Sequence, residues 1–357
     1  MRLIHCSDLH LDSKMESNLS ADQARERNGE ICTAFARMVR WACDNGVAGV
    51  LLAGDLFDTC RVSEKTADFV LDTLAQAGDL PFYYLRGNHD DSSAPFAGKT
   101  LPANLHCFGK AWTSYDLGDV TITGLELDKD NWHSCYDDLK LDEDRVNIVM
   151  LHGQTSTQPG EELVALPRLK GKHIDYLALG HIHSYQSDRL DQRGQWCYCG
   201  CLEGRGFDEC GEKGFVLLNV EKGRVEGELM PFATRRLHEV RVDISDCITV
   251  TQIQQALTAA AAGISADSLV KFTLTGTYTP EPQKDLGFLT KLLSQQFWFV
   301  KIKDESRFRI EKADYEHDIS LKGQFIRLVM ASDKTEEQKA QIICAGLQAL
   351  TGEEVTL

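Results

Sequence analysis

The apolar positions in the first half of the chain fall into short unbroken runs separated by helical patterns. "RLIHCS" (2–7) is followed, within residues 29–45, by Ile31, Phe35, Met38, Val39 and Ala42, which recur at the three- and four-residue spacing of one helix face. "GVAGVLLAG" (46–54) comes next, then a helix that Ser63 can open as N-cap and that carries Phe69, Val70 and Leu74, then "LPFYYLRG" (80–87). Short runs without polar alternation suit strands buried on both faces, and this β-α-β-α-β order predicts parallel strands with helices outside them. "VTITGLEL" (120–127), "RVNIVML" (145–151) and "HIDYLALG" (173–180) predict further buried strands, and the acidic segment 129–144 predicts a largely solvated stretch. "GQWCYCG" (194–200) and "GFVLLNVEKGRVEGELMPF" (214–232) predict paired strands, with Lys222 and Gly223 as a hairpin turn. Two facing sheets flanked by helices, an α/β sandwich, fit this series.

Near residue 233 the pattern changes. An alternating strand, "RLHEVRVDIS" (236–245), precedes an Ala/Gln-rich helix over 249–262 and a strand, "SLVKFTLTGTY" (268–278). A helix near 285–296, the strand "FWFVKIK" (297–303) and helices over 320–331 and 335–350 complete the chain. The boundary predicted here gives a domain over 1–232 and a smaller α+β domain over 233–357, which shows no chemistry of its own.

Composition narrows the class. The 357 residues hold no apolar run near the roughly 18 residues of a membrane span, and the N-terminus turns polar too soon for a signal peptide. A cytoplasmic protein without a membrane partner is expected. Twelve cysteines are scattered, and the alternate spacing of Cys197, Cys199 and Cys201, with Cys210 beyond, differs from the Cys-x2-Cys pairs of zinc sites. They read as reduced packing thiols. The net charge of −16, with no basic run, disfavours tight autonomous binding to nucleic acid unless divalent cations or a basic partner reverse the local sign.

The chemistry lies just after the strands. Asp8 and His10 follow the first run, Asp55 and Asp58 the second, and Asn88, His89 and Asp90 the third. His152 follows "NIVML", and His181 and His183 follow "YLALG". His5, inside the first run, reads as a core histidine. Ligands of layered α/β sheets gather outside the carboxyl ends of strands, so residues from five ends can meet in one place. Asp, Asn and neutral His form a nitrogen and oxygen donor set suited to Mn²⁺, Mg²⁺, Fe²⁺ or Zn²⁺. Seven such groups are too many for one ion and suit two ions sharing a carboxylate, an arrangement that hydrolyses phosphate esters.

The same blocks, "DLH" (8–10), "GDLFD" (54–58), "GNHD" (87–90), "HG" (152–153) and "GHIH" (180–183), resemble the signature of calcineurin-like metallophosphoesterases. That resemblance, over about residues 1–200, implies that Asp55 bridges two ions. It assigns Asp8, His10 and His183 to one ion and Asn88, His152 and His181 to the other. His89 matches the histidine that contacts the scissile phosphate and helps protonate the leaving oxygen. Asp58 stands beside His89 as a second catalytic candidate.

Within the family, "SDLHLD" (7–12), "FDECGEKG" (207–214) and the following α+β domain resemble SbcD-type DNA repair nucleases and their YhaO-like relatives. This implies a DNA exonuclease, with single-strand endonuclease activity in many members, two Mn²⁺ ions, a cap-like second domain, a homodimer and an SbcC-like coiled-coil ATPase partner. Three features depart from that pattern: Asp12 stands where such nucleases commonly carry glycine, the charge is acidic, and only residues 335–350 offer a segment for gripping an ATPase. The alternative is a phosphodiesterase or phosphatase acting on small molecules such as nucleotides.

Overall fold

In the computed structural model, which describes residues 1–15, 19–58, 62–90, 96–278, 284–309 and 315–351, the apolar runs become the middle of two sheets. β1 (Arg2–Cys6), α1 (Ala21–Asp44), β2 (Gly49–Ala53), α2 (Glu64–Gln76) and β3 (Phe82–Leu85) alternate, with β1, β2 and β3 parallel. β4 (Leu105–Cys107) extends this sheet beside β3. α2 starts where Ser63 predicts, the Ser63 side chain accepting from Thr66 N at 3.2 Å. α1 starts earlier than its apolar spacing suggests, because its first turns are polar and are set by a capping box of Ser20 and Gln23.

Asp12 has φ 68°, a left-handed conformation in which glycine is unstrained and Asp is tolerated. Its carboxylate accepts from Ser63 N at 2.8 Å, so the side chain ties this turn to the start of α2.

The second sheet draws on β5 (Thr113–Leu117), β6 (Val120–Gly124), β7 (Val146–His152), β10 (Tyr176–Gly180), β11 (Gln186–Arg189) and β12 (Gln195–Tyr198). Between them lie α3 (Cys135–Asp138), the short pair β8 (Gln154–Ser156) and β9 (Leu163–Ala165), and α4 (Leu166–Leu169). The chain then returns to the first sheet as the hairpin β13 (Gly214–Glu221) and β14 (Arg224–Pro231), turning at Lys222 and Gly223 with Gly223 at φ 77°. The orders are β14-β13-β1-β2-β3-β4 and β11-β12-β10-β7-β6-β5.

Between the sheets pack Leu3, Leu51, Tyr83, Ile148, Met150, Tyr176 and Val216, and α1 and α2 cover the outer face of the first sheet through Phe35, Met38, Val70 and Leu74. Cys197 and Cys199 belong to the core between the sheets as free thiols. His5 is buried with Nδ1 2.9 Å from Tyr176 Oη, and burial lowers its pKa to about 3, so the ring is neutral.

The acidic segment 129–144 is largely exposed, as its composition suggests, apart from three residues around one buried turn. Cys135, Tyr136 and Leu139 are buried against Val149, Leu177 and Leu179, and Tyr136 Oη donates to Leu163 O at 3.1 Å. One helical turn is too short for its inward residues to register as a period.

The chain divides into two units, Met1–Arg236 and Leu237–Leu357. In the second, β15 (Leu237–Asp243), β16 (Leu269–Thr275) and β18 (Phe299–Asp304) are parallel, linked through α5 (Val250–Ala260), the short strand β17 (Thr277–Tyr278) and α6 (Leu286–Leu293). β19 (Arg307–Phe308) pairs with β17, and α7 (Leu321–Met330) meets α8 (Glu336–Thr351) through Ile326, Val329 and Ile343. Among the described residues no helix is long and apolar enough to cross a membrane.

Candidate metal centre

The five strands whose ends carry the predicted ligands all deliver them to one place. β1, β2 and β3 run parallel in the first sheet, and β7 and β10 run parallel in the second. The two sheets are stitched together there: His181 N donates to the Asp8 carboxylate at 3.0 and 3.1 Å, and His152 Nδ1 lies 3.0 Å from Ala53 O.

The backbone leaves its strands abruptly to do this. Asp8, His10, Asp55 and His181 have φ of 52°, 46°, 50° and 103°. Such left-handed conformations cost about 1–3 kcal/mol each and persist where the surroundings impose them. Here the loops after β1 and β2 run side by side, with Asp8 N donating to Gly54 O at 3.0 Å and His10 N to Asp55 O at 3.0 Å. Buried Asp90 adds a second tie, its carboxylate accepting from Leu56 N, Phe57 N and Gly87 N at 3.2, 2.8 and 3.1 Å. Glycine is required where the donors crowd. A Cβ on Gly54 would stand 2.1 Å from His152 Nδ1, and one on Gly87 would stand 2.1 Å from Asp55 Oδ1.

Around Asp55 the donors fall into two groups. On one side His10 Nε2 and His183 Nε2 are 3.1 Å apart, His183 Nε2 is 3.8 Å from Asp8 Oδ1, and His10 Nε2 is 3.8 Å from Asp55 Oδ2. On the other, His152 Nε2 lies 3.3 Å from Asp55 Oδ2 and 3.0 Å from Asn88 Oδ1, with His181 Nδ1 3.3 Å from that same amide oxygen. Donor atoms of Asp8, His10 and His183 lie within 4.8 Å of one another, as do those of Asp8, Asp55 and His152.

The electrostatics are those of a site with surplus negative charge. Burial alone would lower His152, but its hydrogen bond to Asp55 and the charges of Asp55 and Asp8 raise it to about 9. Burial alone would raise Asp55, and His152 and His10 hold it well below the usual carboxylate range. His10 and His181 are lowered, chiefly by burial. The carboxylates thus draw protons onto an imidazole that a divalent cation would displace. The donor set fits two hard or borderline ions: nitrogen and oxygen only, imidazole nitrogens converging, and a carboxylate between the groups.

His89 sits exposed at the rim. Its backbone N donates to Asp55 Oδ1 at 2.9 Å, its Nδ1 lies 3.1 Å from Asp58 O, and its ring meets that of His10 edge-on at 5.0 Å. Asp58 lies behind His10, with Oδ1 3.1 Å from His10 Nδ1 and 2.6 Å from Arg205 Nη1.

Two residues of this neighbourhood escape sequence reasoning. Glu209 Oε1 accepts from His183 Nδ1 at 2.6 Å, and Arg205 Nη2 donates to that oxygen at 3.0 Å. Neither follows a buried run. The one signal was the segment 207–214, which contains Glu209.

A model of the calcineurin-like phosphoesterases matches residues 1–185. The chain is 27% identical over 282 residues to the uncharacterized metallophosphoesterase YhaO of Bacillus subtilis, covering 71% of this chain and 66% of that protein. It is 30% identical over 209 residues to the DNA double-strand break repair protein Mre11 of Sulfurisphaera tokodaii, covering 53% and 51%. It is also 23% identical over 412 residues to the SbcD component of the nuclease SbcCD of Escherichia coli K12, covering 99% of each. The chain therefore spans about half to two thirds of the length of the first two relatives.

Proposed function

The chain belongs to the calcineurin-like phosphoesterases, and from that premise we propose that it is a two-metal phosphodiesterase acting on DNA, a nuclease of the SbcD type. The observation that carries the reading is the convergence of Asp8, His10, Asp55, Asn88, His152, His181 and His183 from five strand ends, with His89 at the rim. In this reading Asp8, His10 and His183 hold one ion, Asn88, His152 and His181 hold the other, and Asp55 serves both. Mn²⁺ is the foremost candidate. Two such ions, when bound, polarise a phosphoryl group and lower the pKa of a water between them.

The protein's own groups do the rest. Asp55 fixes the spacing of the two groups, and its Oδ1 holds the His89 backbone. The exposed His89 imidazole can reach a phosphodiester seated over the donors and give a proton to the leaving oxygen. Relatives named for double-strand break repair and for nuclease function support DNA as the substrate. A cap-like role for the second unit, a homodimer and an SbcC-like ATPase partner complete the proposal. Buried thiols at Cys6, Cys135, Cys197, Cys199 and Cys201 support a reducing, cytoplasmic setting.

The net charge of −16 favours a second reading, a phosphodiesterase or phosphatase for small molecules such as nucleotides. The two are separated by incubating the purified chain with Mn²⁺ and end-labelled single- and double-stranded DNA, with bis-p-nitrophenyl phosphate alongside and His89→Gln as control. Cleavage of both substrates, lost in the control, supports the nuclease. Cleavage of the generic diester alone favours the second reading. Cleavage of neither contradicts both.

A further inference from the structure

We propose that Asp58, Arg205 and Glu209 form a bracket that positions His10 and His183 as ligands of one ion, setting the affinity of the Asp8/His10/His183 site separately from that of the Asn88/His152/His181 site. The inference rests on the two-metal reading.

The contacts form a continuous path. His10 Nδ1 lies 3.1 Å from Asp58 Oδ1, and Arg205 Nη1 donates to that oxygen at 2.6 Å. Arg205 Nη2 donates to Glu209 Oε1 at 3.0 Å, and His183 Nδ1 meets the same Glu209 oxygen at 2.6 Å. The other Glu209 oxygen accepts from the Arg205 backbone N at 2.6 Å, which holds this carboxylate at both ends. The side chains are largely shielded from solvent, Asp58 at 20%, Arg205 at 18% and Glu209 at 4% exposure. A planar guanidinium is suited to holding two carboxylates at a set separation.

A carboxylate opposite each Nδ1 favours the proton there and leaves Nε2 bare, more basic and fixed in direction. Both Nε2 atoms point into the same gap, 3.1 Å apart. The bracket carries two carboxylates and one guanidinium, so it places net negative charge behind the ion these imidazoles would hold.

The other site is backed differently. His152 Nδ1 faces the neutral carbonyl of Ala53 at 3.0 Å. Neutral acceptors polarise an imidazole less than carboxylates do. The bracketed site therefore binds its ion more tightly, and Asp58 acts through His10 as a positioning residue rather than as a catalytic one.

The test is a Mn²⁺ titration of the full chain after chelator treatment, following free Mn²⁺ by its electron paramagnetic resonance signal. The wild type is expected to bind two ions in a tight and a weaker phase. Glu209→Gln, nearly isosteric, is expected to weaken the tight phase about 10–100-fold and leave the other unchanged. Arg205→Met should do the same. In a His183→Ala background Glu209→Gln should have no further effect on binding. Melting temperatures in chelator, equal for wild type and Glu209→Gln, exclude a folding defect. Two phases in Glu209→Gln identical to wild type, or equal weakening of both, would overturn the bracket. A wild type that binds no Mn²⁺ overturns the two-metal reading itself, an outcome distinct from a bracket failure because the latter leaves the wild-type titration biphasic.

Discussion

His10 and His183 aim their Nε2 atoms at each other across 3.1 Å, although they come from different sheets and are separated by most of the first unit's chain. Each Nδ1 has a carboxylate beside it, Asp58 for His10 and Glu209 for His183. Two bare imidazole nitrogens at that distance repel unless a proton or a cation lies between them. A divalent ion relieves the repulsion and neutralises the carboxylates around it.

Metal should therefore stabilise the fold. At about 100-fold excess over Kd, a site specific to the folded state contributes about 2.7 kcal/mol, enough to raise the melting temperature by a few degrees. Differential scanning fluorimetry with Mn²⁺ should show this rise, and excess chelator should abolish it. An unchanged melting temperature across the titration contradicts ion binding at this site.

Gly87→Ala tests the crowding around the shared carboxylate. The added Cβ would lie 2.1 Å from Asp55 Oδ1 and 2.6 Å from Asp55 N, so Asp55 or the loop after β3 must shift. A displacement near 1 Å at a reacting centre can cost about 100-fold in turnover. Hydrolysis of bis-p-nitrophenyl phosphate should fall by about that factor while circular dichroism stays native. Wild-type turnover would show that Asp55 is not held where its position matters.

Much of this centre was readable in the sequence for one reason. Each of the five strands is an apolar run that stops at a polar residue, and parallel strands place such ends together. Asp8, Asp55, Asn88, His152 and His181 are legible on that rule. Arg205 and Glu209 are not, because they lie in a loop beyond β12 where no period or strand end marks them. The early turns of α1 were hidden in the same way: "ADQARERN" has no apolar period, and buried Arg27 looks like a surface residue until its partners are known.

Those partners make Arg27 a stability determinant. Arg27 Nη2 donates to Glu203 Oε2 at 3.0 Å and to Gly204 O at 2.8 Å, with both side chains essentially excluded from water. Glu30 also pairs with Arg27 through Nη1, so losing the Glu203 charge weakens the network without stranding the guanidinium, at a cost of about 1–3 kcal/mol. Glu203→Gln should lower the free energy of unfolding by about that amount in urea denaturation. A loss below about 1 kcal/mol, typical of an exposed pair, would show that Glu30 and Gly204 O hold the Arg27 charge without Glu203.

The second unit carries a pH-dependent contribution. Burial alone would raise Asp304, but the hydrogen bond from Lys284 Nζ at 2.5 Å, with those from Ser306, lowers its pKa below the ordinary carboxylate value. A depressed folded pKa means stability that is present above the unfolded pKa of about 3.9 and is lost as pH falls through the folded value. Asp304→Asn should thus lower the melting temperature at pH 7, and the difference from wild type should shrink below about pH 4. A difference that persists undiminished in acid would assign the effect to packing instead of charge.

The most direct measurement is anomalous diffraction from crystals of the full chain soaked in Mn²⁺. The expected map has two peaks about 3.5–4 Å apart, one on each side of Asp55. One should be ringed by Asp8, His10 and His183, the other by Asn88, His152 and His181. A single peak, or none at this position under saturating Mn²⁺, would contradict the two-metal centre.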